Sequence, residues 1–259
     1  MKPTALITGA SSGLGYEFAR LYAANGYNLI VVARNEQKLQ QLKEELSHVD
    51  VMVIPKDLSQ PNAAQEIYQT VTDQQLHVHV LVNNAGFGLN GEFDKLALAE
   101  QQDMIQVNIT ALTDLSYLFL PEMKKLAKDS SHTGILNVAS TAAFQPGPGM
   151  SVYYASKAYV LSFSEALHGE LKGTGVHVTT LCPGATETNF FKAARGEKMK
   201  LASSAMSASV VAKQGFEGFM KKQGVVIPGR FNSVGAVAAK FLPRSLAASI
   251  AKNMNSAES

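Results

Sequence analysis

The strongest constraint on the fold is a rhythm. Six short apolar runs, at residues 5–8, 28–33, 49–54, 78–82, 134–139 and 176–182, alternate with segments of helical periodicity. Short runs that are apolar on both faces read as strands buried on both sides, the condition of strands in a parallel sheet. The segments between them, 14–24, 36–46, 63–72, about 100–126 and 153–171, read as helices. This alternation predicts an α/β fold: a doubly wound parallel sheet with right-handed crossovers and helices on both faces. With 259 residues and no internal repeat or low-complexity linker, the chain reads as a single domain over 1–259.

The first run leads straight into Gly9-Ala10-Ser11-Ser12-Gly13-Leu14-Gly15 and then an amphipathic helix. Strand, glycine turn and helix together form a setting for a dinucleotide pyrophosphate. The glycines let the backbone come close, and the helix start offers free N–H groups and positive potential. The spacing is Gly-x-x-x-Gly-x-Gly rather than Gly-x-Gly-x-x-Gly, but it serves the same geometry. At the end of the second run an acidic residue would suit a ribose 2′-hydroxyl, and an arginine a 2′-phosphate. This chain has Arg34, with Ser11 and Ser12 as nearby hydroxyls, so NADP(H) is the expected cofactor. Asp57-Leu58 follows the third run, placed either to meet an adenine edge or to cap a helix.

Chemistry is carried further along the chain. In a helix, Tyr153 and Lys157 sit one turn apart on the same face, with Ser140 thirteen residues before Tyr153. A free phenol has a pKa of about 10, and a fixed ammonium beside it would favour the phenolate. A serine hydroxyl could then hold the oxygen of a reacting carbonyl or alcohol. Tyr154 lies three residues before Lys157 and lacks this register, so Tyr153 is the candidate catalyst.

With these residues in hand, the sequence from about 3 to 191 resembles the short-chain dehydrogenase/reductase family, in particular its bacterial ketoreductase-like members. The resemblance rests on Thr8-Gly9-Ala10-Ser11-Ser12-Gly13-Leu14-Gly15, Asp57-Leu58, Asn83-Asn84-Ala85-Gly86, Asn108, Ser140, Tyr153-x-x-x-Lys157, and Pro183-Gly184 with Thr188. It implies that Tyr153 is the general acid in reduction and the base in oxidation. Lys157 would lower its pKa and hold the nicotinamide ribose, and Ser140 would polarise the substrate oxygen. Asn108 would hold a water linking Lys157 to solvent. The turn Asn83-Asn84-Ala85-Gly86 would support the sheet, a mostly structural role, with Asn84, Ala85 and Gly86 lying along the cofactor. Pro183, Gly184, Thr186 and Thr188 would meet the carboxamide, with Thr186 replacing the branched aliphatic residue usual in that turn. The resemblance also implies hydride transfer without a metal, and a homodimer or homotetramer paired through the two long central helices.

Other features narrow the partners. A formal net charge of +2, with no arginine-rich tract, argues against nucleic acid. No run reaches the roughly 20 apolar residues of a membrane span. Cys182 is the single cysteine, at the end of an apolar run, and suits a buried hydrophobe in a reducing, cytoplasmic setting. His77 and His79 lack a third ligand, and the other histidines are isolated, so no metal site is expected. Residues 185–215 mix Phe190, Phe191, Met199, Leu201 and Met206 with polar residues and read as a substrate lid. The basic extension at about 228–259 reads either as a helix packed on its own protein or as a weak contact for a membrane surface or an acyl carrier. The expected function is reduction of a hydrophobic, acyl-chain-like ketone by NADPH. A secondary alcohol dehydrogenase and a non-catalytic dinucleotide sensor are the alternatives.

Overall fold

The computed structural model describes residues 2–130, 132–190, 194 and 205–256. Seven parallel strands form the central sheet: β1 (Thr4–Thr8), β2 (Asn28–Ala33), β3 (Val51–Pro55), β4 (Val80–Asn83), β5 (Gly134–Val138), β6 (His177–Leu181) and β9 (Val225–Val226). Their order is β3-β2-β1-β4-β5-β6-β9. The register sets Ile7 beside Val31 on one side and Val82 on the other. A second, two-stranded sheet pairs β7 (Thr186–Glu187) with β8 (Met206–Ser207).

Period-two alternation along the strands divides the core into two layers. Ile7, Val31, Val82 and Leu136 face helices α1 (Gly13–Ala24), α2 (Glu36–Glu45) and α7 (Ala208–Met220), where Phe18, Tyr22 and Phe219 fill the space. Leu6, Ile30, Leu81 and Ile135 face α3 (Ala63–Asp73) and α5 (Leu112–Leu126), where Ile67, Phe119 and Met123 pack. Both faces are covered, as the uninterrupted apolar strands require. The doubly wound single domain read from the sequence is the fold observed.

The expected helix at 100–126 is three pieces: α4 (Leu98–Ile105), a π-helical stretch Gln106–Ala111, and α5. Asn108 lies within the π stretch, buried, with its amide turned onto the backbone of Phe87. A side chain that binds neighbouring backbone competes with helical geometry, so the break falls at the polar residue. Helix α6 (Ser151–Glu170) carries Tyr153 and Lys157. Two helices after β9, α8 (Arg230–Phe241) and α9 (Arg244–Asn255), complete the described chain. The strand at Val225–Val226 and the β7–β8 pair were not legible in the sequence, because two residues carry no periodicity. Of the expected lid, 191–193 and 195–204, including Phe191, Met199 and Leu201, lie outside the described residues.

Candidate active site

The strand order reverses between β1 and β4, and a parallel sheet opens a crevice at that point beyond its carboxyl ends. A cleft of about 470 Å³ occupies it. Ser11, Arg34 and Asp57 line one end; Ser140, Tyr153 and Phe190 line the other. The residues read from the sequence as a nucleotide turn and as a catalytic group, far apart along the chain, thus share one cavity.

At the first end the backbone is closely packed. Gly9 has φ +69°, and a Cβ there would stand 2.8 Å from Asn84 Nδ2 and 3.0 Å from Ala85 Cα. A Cβ on Gly15 would stand 2.2 Å from the Gly9 carbonyl oxygen. Asn84 Nδ2 donates to the Thr8 carbonyl at 2.9 Å, while the Asn84 and Ala85 amides donate to Thr8 Oγ1, each at 3.0 Å. These bonds clamp the ends of β1 and β4 together under the turn. Helix α2 is capped by Asn35, which accepts from the Lys38 amide at 2.9 Å. Helix α1 has no side-chain cap; Ser12, Gly13 and Leu14 at its start face the cleft instead. Free amides, a glycine cradle that a Cβ would fill, and the positive helix end fit a dinucleotide phosphate.

Arg34 is exposed at the end of β2 and, among the described residues, forms no ion pair. Asp57 Oδ1 accepts from the Ser59 amide at 3.0 Å and the Ser59 hydroxyl at 2.9 Å, so its carboxylate holds a turn at the cleft edge, with Leu58 beside it.

At the second end, Ser140 follows β5. Its hydroxyl donates to the Pro183 carbonyl at 3.3 Å and accepts from the Ala142 amide at 3.1 Å. Lys157 is 5% exposed, and its Nζ donates to the Val138 carbonyl at 2.8 Å. The same nitrogen lies 5.9 Å from the centre of the Tyr153 ring. A Cβ on Gly86 would come within 3.0 Å of Asn108 Oδ1 and 3.4 Å of Lys157 Nζ, so glycine leaves room for both. Asn108 Nδ2 donates to the Phe87 carbonyl at 2.9 Å and to Ser156 Oγ at 3.0 Å, fixing the π stretch against α6.

Burial shifts both titrating groups towards their neutral forms. It lowers Lys157 to about 8, with the Cys182 thiol acting weakly the other way. It raises the Tyr153 phenol well above its usual value, opposed by the Ser140 hydroxyl as a hydrogen-bond partner. The side chains by themselves therefore do not produce the lowered phenol pKa expected from the pairing with Lys157. Desolvation sets the direction of the Tyr153 shift, and Lys157 Nζ is turned to the Val138 carbonyl, 5.9 Å from the ring centre.

Thr186 is buried in β7, and its hydroxyl donates to the Gly184 carbonyl at 3.0 Å. A Cβ on Gly13 would strike Thr188 Cγ2 at 2.8 Å, so the segment after β6 rests on the nucleotide turn. The Phe190 ring packs 5.2 Å from Tyr153. The Tyr154 hydroxyl points elsewhere, donating to Asn255 Oδ1 at 3.0 Å. His77 pairs with Glu122, Nδ1 to Oε1, at 2.5 Å.

Sequence reasoning took Asn83 as support for the sheet but missed two groups, the partners of that asparagine and Asn255. Asn83 Nδ2 donates to Asn137 Oδ1 at 2.9 Å and to Ser116 Oγ at 3.1 Å, and Asn137 Nδ2 donates to Ser164 Oγ at 2.9 Å. This buried chain ties β4 and β5 to α5 and α6 beneath Ser140, Tyr153 and Lys157; an asparagine inside each of two apolar strands was its available signal. The second is Asn255 at the end of α9. It accepts from Tyr154, donates from Nδ2 to the Pro148 carbonyl at 3.1 Å, and sets Met254 on the cleft rim. No local pattern announces that contact.

Residues 3–199 match the short chain dehydrogenase family, and the chain belongs to it. Among curated relatives, the sulfoacetaldehyde reductase 2 of Chromohalobacter salexigens is 38% identical over 192 residues, 73% of this chain and 75% of that protein. A short-chain dehydrogenase from Sphingobium yanoikuyae, solved in complex with NADPH, superposes with a TM-score of 0.80 at 30% identity, covering 92% of this chain and 94% of that one. A short chain dehydrogenase/reductase from Burkholderia phymatum, solved in complex with NAD, gives a TM-score of 0.82 at 25% identity, covering 100% and 98%. The protein is an oxidoreductase of this family.

Because the Gly15 Cβ would meet backbone rather than a movable side chain, Gly15→Ala is expected to weaken dinucleotide binding at least about tenfold. Fluorescence titration with NADPH reads the affinity, and circular dichroism checks that the variant remains folded.

Proposed function

We propose that the protein is an NADPH-dependent carbonyl reductase acting on hydrophobic ketones, with Tyr153 as proton donor and Ser140, Lys157 and Asn108 as its supporting residues. The observation that carries this reading is the convergence of Tyr153, Ser140 and buried Lys157 at the apolar end of a dinucleotide cleft. The chemistry that bound NADPH supplies is a hydride for the carbonyl carbon. Ser140 Oγ donates to the carbonyl oxygen and stabilises the negative charge that develops there. Tyr153 delivers its phenolic proton to the same oxygen. The raised phenol pKa keeps that proton on Tyr153 at neutral pH, where it is available for transfer. Lys157, charged below about pH 8, stabilises the phenolate left behind. The π-turn at Asn108 opens the helix where a water path from Lys157 to solvent would begin.

Cofactor choice rests on Arg34 with Ser11 and Ser12, a guanidinium and two hydroxyls at the ribose end of the cleft and no carboxylate among them. Leu14, Asp57, Leu58, Ala85, Gly86 and the segment Pro183 to Thr188 would line the rest of the dinucleotide. The substrate class rests on Phe87, Met150, Phe190 and Met254, which give the Tyr153 end an apolar wall. Phe190 and the described ends of 185–215 would form the base of a lid. Pairing of subunits through α5 and α6 is supported by Tyr117, 78% exposed on α5, and by the stacked Tyr159 and Phe163 on α6, 5.8 Å apart. One buried cysteine, its thiol pushed up to about 12 by burial, suits a cytoplasmic protein.

Two experiments test the reading. Tyr153→Phe should lower ketone-dependent loss of NADPH absorbance by at least about a hundredfold while leaving NADPH affinity within a factor of a few; an unchanged rate across a broad ketone panel removes Tyr153 from the chemistry. Arg34→Asp should reduce the ratio of kcat/KM for NADPH over NADH at least about tenfold. If the wild type uses both cofactors equally, the assignment of Arg34 fails.

A further inference from the structure

Helices α8 and α9 carry their apolar side chains in an unusual sense. A helix lying on a protein normally turns its large apolar residues inward. In α8 the buried residue is Ala236, while Phe231, Val234 and Phe241 face outward along one stripe at spacings of three and seven. Phe231 is 96% exposed and Phe241 84% exposed. In α9 the face set against the protein is Ala247, Ala251 and Asn255, and the flanking stripe of Leu246, Ile250 and Met254 is open. Small residues thus hold the two helices down, and large ones point away.

The charges around these stripes are of one sign. From 218 to 257 the chain has no Asp or Glu, while Lys221, Lys222, Arg230, Arg244 and Lys252 are exposed. Among the described residues none of these five is in an ion pair. Lys240 alone is engaged, with its Nζ 5.3 Å from the Phe144 ring centre. A second copy seated on this face about a two-fold axis would bring Arg230, Arg244 and Lys252 near their own counterparts, a like-charge arrangement. An anionic lipid surface complements both features: headgroups meet the basic residues, and the acyl boundary takes the phenylalanines. No helix among the described residues is long and apolar enough to cross a membrane, so any contact made through these helices lies in the interface plane.

We propose that the outward face of α8, continued by Leu246, Ile250 and Met254 on α9, docks the protein peripherally on an anionic bilayer surface. Met254, the last residue of the α9 stripe, also lines the cleft, so that stripe reaches the cavity. Docking itself does not depend on which reaction the cleft performs.

The test uses the full-length protein and flotation with vesicles, one set of phosphatidylcholine and one containing about 30% phosphatidylglycerol. The protein is expected to float with the anionic vesicles at least about tenfold more than with the neutral ones, and to be released at about 0.5 M salt. Phe231→Ser with Phe241→Ser changes exposed side chains only. It should abolish flotation and leave the thermal midpoint and solution mass unchanged. Arg230→Gln with Arg244→Gln and Lys252→Gln should remove the preference for anionic vesicles. The proposal is overturned if the wild type floats with neither vesicle, or if the double phenylalanine variant floats as well as wild type. It is also overturned if that variant has a smaller oligomeric mass than wild type, since the face would then be an interface between copies.

Discussion

An ammonium group withdrawn from water is the constraint on which the Tyr153 end of the cleft depends. Lys157 is almost wholly buried, with the Val138 carbonyl as its hydrogen-bond acceptor and, among the described residues, no carboxylate paired with it. An unpaired buried charge is expensive, and the protein meets that expense partly by letting the amine approach its neutral form. Everything that fixes Lys157 also fixes the site. The end of β5 supplies the carbonyl, glycine at position 86 leaves the space, and Asn108 locks the π stretch to α6 through Ser156. The buried asparagine chain from Asn83 through Asn137 to Ser164 holds β5 and α6 in register below it.

The nucleotide half depends on close backbone approach rather than on charge. Thr8 and Asn84 clamp β1 to β4 where the sheet opens, and Gly9 and Gly15 occupy positions that no side chain fits. The two halves meet where Thr188 packs on Gly13, so the chain after β6 spans the cleft from the turn to Phe190 and Tyr153. At the far side Asn255 joins α9 to Tyr154, the neighbour of the candidate acid. Tyr153 is therefore held within a helix whose next residue is tied to the end of the described chain.

Much of this was legible in the sequence, because strong local patterns carried it. Buried strands such as 28–33 announce themselves by unbroken apolar runs, and the observed strand has those bounds. The glycine turn and the i, i+4 pair of Tyr153 and Lys157 are short-range patterns, and the fold brings them to one cleft. What was not legible is long-range or very short. Strand β9 has two residues, and the Tyr154–Asn255 bond joins residues 101 apart in the chain. The direction of the Tyr153 shift was also beyond the sequence. Spacing places an ammonium near a phenol, but only the packing shows that both are dry.

That a buried Lys157, its pKa lowered to about 8, supports proton transfer from Tyr153 can be read from the pH profile of ketone reduction at saturating NADPH. Burial lowers the Lys157 pKa, so the ammonium is present below about pH 8 and lost above it. The phenol, shifted upward, stays protonated through the same range. The rate is expected to be level through neutral pH and to fall above about pH 8, with that alkaline limb lost from the residual activity of Lys157→Met. A profile that stays level to pH ~10, well past the Lys157 transition, or an alkaline limb unchanged in Lys157→Met, would contradict it.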